Sequence, residues 1–117
     1  MIRTALAAVL TLALATPALA HRVNVFASVT IEDEVEIVVV EAKFSTGRIP
    51  VSGEVTVDDA TGETVLTLPL QEDGTARFPL DRDIAASGLT ITVETGDQHS
   101  GYWLLTPADL DRAEDGS

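Results

Sequence analysis

The chain contains no cysteine. That absence excludes a disulfide-stapled fold and removes thiolate chemistry, so stability has to come mainly from apolar burial. A mature chain of about a hundred residues can achieve this as one domain, but hardly as two. Basic residues are scarce as well: seven Lys and Arg stand against nineteen Asp and Glu, for a formal charge of −12. Such a balance argues against nucleic acid or an anionic membrane surface as a partner, because binding either relies on Lys and Arg meeting phosphates. It is compatible with cations, although solvation of an acidic surface accounts for most of it. Histidine occurs only as His21 and His99, and neither sits in an HExxH, nucleophile-elbow or phosphate-loop setting. The glycines fall in turns and form no GxGxxG pattern, and the carboxylates follow turns and outward strand faces. These absences leave no catalytic constellation, and the protein is read as a non-enzyme.

What is present first is an address. Arg3 supplies a positive start, Ala5 to Ala15 is an uncharged run of Ala, Leu, Val and Thr, and Thr16-Pro17 precedes the small-x-small site Ala18-Leu19-Ala20. Together these parts make a secretory signal peptide. The apolar run is shorter than the roughly 20 residues a spanning helix needs, and no second run follows. A soluble periplasmic product is expected, with no membrane insertion after cleavage. Loss of Arg3 with the signal takes the charge one unit beyond the −12 of the full chain.

Downstream, period-two alternation dominates. Val23, Val25, Ala27 and Val29 alternate with Asn24, Phe26 and Ser28, placing one face inward. From Val35 to Phe44 the sequence is apolar on both faces, with Val35, Ile37 and Val39 on one and Val38, Val40, Ala42 and Phe44 on the other. Such a strand is either central or changes sheets through a bulge. Further strands are predicted around Val55 and Val57, Leu66 and Leu68, Ala76 to Leu80, Leu89 to Val93, and Gly101 to Leu105. They are separated by the turns Asp58 to Gly62, Glu72-Asp73-Gly74, Ser87-Gly88 and Gly96-Asp97. About seven short strands at this spacing predict an all-β, immunoglobulin-like sandwich of two packed sheets, without the disulfide of that fold's antibody form. Thr106 at a cap position and Pro107 at the first helical position predict one short helical turn up to Leu110. The chain therefore divides into a signal peptide over 1–20, a sandwich over 21–110 and a disordered acidic tail over 111–117. Of Tyr102 and Trp103, one is expected to cover the core and the other to be half exposed, and Phe26 and Phe44 are read as packing residues.

Cleavage after Ala20 makes His21 the first residue, offering an α-amine and an imidazole that can close a chelate ring on a metal. The ordinary amine pKa of about 8 means that binding near neutral pH displaces one readily lost proton. Nitrogen ligands of this kind suit nickel, copper, cobalt or zinc. His99 could add a third nitrogen if the first and last strands end near one another. The competing reading makes His21 a frayed terminus and His99 a solvated loop residue.

The segment His21-Arg22-Val23-Asn24-Val25-Phe26-Ala27, directly after the signal peptide, resembles the HKVNVFA opening of periplasmic accessory proteins of energy-coupling-factor cobalt and nickel transporters, the CbiL/NikL type. Val55 to Gly62 is similar to that family's V-x-V-x-D-x-x-G hairpin, and Glu72 to Phe78 to its Asp-Gly turn before a Phe-bearing strand. His99 with Trp103 resembles its G-H-x-x-x-W ending. The hairpins also resemble those of carboxypeptidase-regulatory-like domains. The resemblance implies a sandwich outside the cytoplasmic membrane that helps a membrane-embedded nickel or cobalt transporter, with His21 and His99 as candidate ligands and copper a further option. The alternative is a docking module for a membrane partner that binds no metal.

Overall fold

Residues with β-branched side chains at every second position form strands because one pleated face can then bury them while the other meets water. The computed structural model of the chain describes residues 22–96 and 99–115, excepting the side chains of 114 and 115. The expected signal peptide lies outside the described residues. Among the described residues there are seven strands, β1 (Val23–Glu32), β2 (Val35–Phe44), β3 (Gly53–Asp59), β4 (Thr64–Pro69), β5 (Thr75–Pro79), β6 (Leu89–Thr95) and β7 (Ser100–Leu105), followed by the helix α1 (Pro107–Asp115). They form a three-stranded sheet in the order β1-β2-β5 and a four-stranded sheet in the order β4-β3-β6-β7. Every pairing is antiparallel. The fold is an all-β sandwich.

Val23, Val25 and Ala27 of β1 point inward, joined by Val38, Val40 and Ala42 of β2 and by Ala76 and Phe78 of β5. From the other sheet come Val55, Val57, Leu89, Ile91, Val93 and Leu105, and all belong to one apolar cluster. Each fully buried Val or Ile contributes about 1.5–3 kcal/mol relative to exposure. The two-faced strand predicted over Val35 to Phe44 is the central strand of its sheet, which explains its apolar residues on both sides.

Register also fixes the two ends of the molecule. The β1–β2 turn, the β3–β4 turn, the β5–β6 loop and α1 lie at one end. The start of β1, the β2–β3 loop, the β4–β5 turn and the β6–β7 connection lie at the other.

Acidic side chains build the turns. Asp59 Oδ1 accepts hydrogen bonds from Thr61 N–H (2.9 Å), Thr61 Oγ1 (2.6 Å) and Glu63 N–H (3.1 Å). Asp73 Oδ1 accepts from Thr75 N–H (3.1 Å) and Oγ1 (2.7 Å), while Gly74 supplies the φ of +81° that the turn requires. In both cases the threonine hydroxyl is the largest cause holding the Asp carboxyl below its ordinary range. Glu36 is likewise lowered, first by its hydrogen bonds from Arg82, whose Nε and Nη2 donate at 2.7 and 2.6 Å.

The helix outruns the single turn expected. Thr106 N–H donates to Asp109 Oδ2 (2.9 Å) and Asp109 N–H to Thr106 Oγ1 (3.2 Å), a reciprocal cap that satisfies two otherwise orphaned donors. Arg112 pairs with Asp109 one turn on, and Leu110 is buried against the sandwich. With its start fixed and one side chain anchored, α1 continues through residues 111–115, which composition alone assigned to a disordered tail.

Two predictions follow from the turns. Glu32 pairs with Val35, so Asp33 and Glu34 form a two-residue hairpin, and both have positive φ, 50° and 69°. Left-handed geometry costs non-glycine residues roughly 1–2 kcal/mol. Asp33→Asn combined with Glu34→Gly, the preferred pair for this turn, should therefore stabilise the protein by about 1 kcal/mol, raising Tm in a thermal scan by roughly 4–8 °C. Second, a depressed Asp59 contributes stability that is present above its ordinary pKa and lost as pH falls through the folded value. Asp59→Asn keeps the acceptor oxygen and removes the charge. The variant should melt below the wild type at pH 7, and the gap should close as the pH drops below about 4; a gap unchanged by acid would rule out this account.

Candidate functional site

At the end of the sandwich where β1 begins, three segments converge. Thr95, the last residue of β6, is buried, and its N–H donates to the His99 carbonyl at 2.8 Å. The His99 N–H donates in return to Thr95 Oγ1 (3.3 Å), and that hydroxyl lies 3.2 Å from the His99 carbonyl. The backbone of His99 is thus clamped to the end of β6 just before β7 starts. Its half-buried imidazole meets the Phe44 ring edge-on, with centroids 6.0 Å apart and planes at 84°.

Phe44 links this corner to the first strand, because it is the register partner of Val23. Beyond the strand, Ser45 N–H donates to the Arg22 carbonyl at 2.8 Å, and Arg22 N–H to Ser45 Oγ at 3.4 Å. β1 and β7 then run alongside each other in the same direction. Gly101 abuts Val23 and Val25, and further along Trp103 meets Phe26 edge-to-face at 5.1 Å and 72°. A Cβ on Gly101 would lie 2.1 Å from the Val23 carbonyl oxygen, so only glycine permits this approach. An isolated glycine within a strand pattern is the sequence signal for such a contact, although nothing in the sequence identifies Val23 as the partner.

Of the two candidate ligands, His99 is therefore fixed in place at the β1–β7 corner, whereas His21 lies outside the described residues. Among the described residues, no three His, Cys, Asp or Glu side chains come together as a metal-binding group. A depression of about 310 Å³ beside the corner is lined by Phe44, Arg48, Ile49, Pro50, Ser52 and Thr95, among others. The aromatic expectations divide. Trp103 packs against the core and Tyr102 is 65% exposed, whereas Phe26 is 48% exposed and sets its ring edge-to-face on Trp103.

The distribution of cations separates the ends. Arg77 pairs with Glu32, Arg82 with Glu36 and Arg112 with Asp109. Arg22, Lys43 and Arg48 all lie at the His99 end, at the start of β1, the end of β2 and the β2–β3 loop. The four carboxyls held below their ordinary range, Glu36, Asp59, Asp73 and Asp109, owe this to an ion pair, to turns and to a helix cap. Their shifts have structural causes.

Gly101→Ala tests how tightly the corner is closed. Overpacking against a backbone oxygen should cost about 1–3 kcal/mol in denaturant unfolding, and it should loosen the start of β1, read as faster amide exchange at Ser45. Full protection at Ser45 would show that the two edges are not coupled. Comparison of the chain with protein-family models, with curated proteins and with solved structures finds no match.

Proposed function

We propose that the β1–β7 corner binds a divalent transition metal, nickel or cobalt with copper as a further option, and that the protein is a periplasmic accessory component of a membrane-embedded nickel or cobalt uptake transporter. The observation that carries the site is the same-direction passage of β1 beside β7. Val23 lies against Gly101 and Phe26 against Trp103. His21 precedes Val23 by two positions and His99 precedes Gly101 by two, so strand direction supports bringing both histidines to one corner.

The chemistry of the donors supports the same reading. Once the signal is removed, His21 carries an α-amine and an imidazole in one residue, which together close a chelate ring. The His99 imidazole adds a third nitrogen, and nitrogen sets of this kind favour late first-row metals. Thr95 and Phe44 restrict the His99 backbone and ring, which lowers the entropic cost of ligation. The transporter role rests on the resemblance of the His21 to Ala27 opening and of the His99 and Trp103 ending. No catalytic step is assigned.

The test is calorimetric titration of nickel, cobalt and copper into protein that begins at His21, beside protein with one glycine added before it and beside His99→Ala. Stoichiometric binding that the added glycine weakens at least tenfold, with a smaller loss in His99→Ala, is the expected result. Equal affinity in all three, or none in any, would remove the site and leave a docking module.

A further inference from the structure

The sandwich is closed on its β1–β7 side and open on the other. With β1 lying against β7, a four-stranded sheet faces a three-stranded one, which among the described residues leaves β4 without a strand opposite it. Leu66 shows the consequence. It pairs with Val57 and points to the same face, yet Val57 is 1% exposed and Leu66 is 37% exposed. A bulge at Val57/Asp58 leaves Val65 as the extra residue of β4, and bulges re-aim side chains. Here Val65 joins Leu66, Phe78, Ile84 and Leu89 in lining a groove of about 320 Å³. Val65 and Ile84 are 38% and 44% exposed, so the groove offers water a largely apolar wall.

Its borders are a free strand edge and a set of carboxylates. Among the described residues, β5 pairs only with β2. Leu80 N–H donates to the Glu36 carbonyl and Ala42 N–H to the Gly74 carbonyl, so antiparallel alternation turns Ala76 and Phe78 toward β2 and leaves the Arg77 backbone N–H and carbonyl on the open edge. Asp81 lines the groove, Asp58 and Glu63 stand beside its β3–β4 end, and Glu72 and Asp73 stand at the β4–β5 turn. Of the nearby cations, Arg77 is paired with Glu32 and Arg82 with Glu36, while Lys43 lies beside Asp73, so the carboxylate excess is greatest at the Asp58, Glu63 and Asp81 end.

We infer that this groove docks an extended segment of another protein, with apolar side chains at alternating positions and basic residues at both ends, lying beside β5 as the fourth strand its sheet lacks. Alternate side chains would cover Leu66, Val65 and Ile84, while backbone groups would meet those of Arg77, the strand-addition mode of peptide recognition. The carboxylates at both ends select the basic flanks. A second copy of this chain would bring the same carboxylates to the same place and be repelled.

Fluorescence anisotropy with a short labelled peptide alternating valine and threonine between terminal lysines tests the inference, beside the same peptide ending in glutamates. The expected result is saturable binding of the lysine peptide alone, weakened by added salt and reduced at least tenfold in Val65→Ser and in Ile84→Ser. Both positions are partly exposed, and unchanged circular dichroism would show that the variants fold. Failure of the lysine peptide to bind, or binding indifferent to both substitutions, overturns the groove. Sedimentation equilibrium showing a dimer that Ile84→Ser dissolves overturns the choice of occupant in favour of a second copy. Metal binding at the opposite side plays no part in these readouts.

Discussion

Val38, Val40, Val55, Val57, Ile91 and Val93 are withdrawn almost entirely from water, and the contact they make between the two sheets is what every other feature depends on. With no cysteine and with aromatic residues at 4% of the chain, no covalent tie supplements this layer, and the rings that join it are few: Phe78 within the cluster, Phe44 and Trp103 against it. The same β-branched side chains that favour extended backbone also fill the space between sheets, so local preference and global packing agree. Short side chains leave little room for repacking, and the removal of even one methylene leaves a cavity that close-packed neighbours only partly fill. The approach of Gly101 to the Val23 carbonyl belongs to the same economy of volume.

Around that layer, an acidic chain has to solve its turns with the residues it has. Asp59, Asp73, Asp81 and Asp109 accept hydrogen bonds from backbone N–H groups within a few residues. Glu36 holds Arg82, whose Nη2 also donates to the Leu110 carbonyl at 3.3 Å, tying β2, the β5–β6 loop and the helix together. Ionised acceptors form stronger hydrogen bonds than neutral ones, so part of the negative charge is used in the architecture. The Asp33-Glu34 hairpin is the exception, where acidic residues occupy left-handed positions better suited to Asn and Gly.

Much of this was legible in the sequence. Alternation marked the apolar faces of β1, β3, β5 and β6, and the Asp-Gly turns marked the hairpins, because both depend on residues close together in the chain; in β2, apolar on both faces, it left the inward face open. The partner of each strand was not legible. β5 returns to pair with β2, while β3 and β4 remain together in the other sheet, a choice settled by packing between residues far apart in sequence. The helix was recognised at Thr106-Pro107 but ended too early, because the Asp109 cap and the burial of Leu110 offset a polar composition. His99 was named as a candidate from its chemistry, whereas its contacts with Phe44 and Thr95 required the fold. Leu66 was placed in a strand with Leu68, and only the unequal strand count of the two sheets accounts for its exposure on the face it shares with the buried Val57.

The uneven placement of charge has a consequence for motion. Arg22, Lys43 and Arg48 sit at one end, while the carboxylates of the β1–β2 and β3–β4 turns, the β5–β6 loop and the helix gather at the other. The molecule therefore carries an electric dipole running along its strands, and near any negatively charged surface it experiences a torque as well as a net repulsion. Tumbling is biased before contact, so encounters begin with the end that holds His99 facing forward. Within a Debye length of about 8 Å at physiological salt, this bias fades with added electrolyte, making the direction of approach, more than its frequency, the quantity that ionic strength controls.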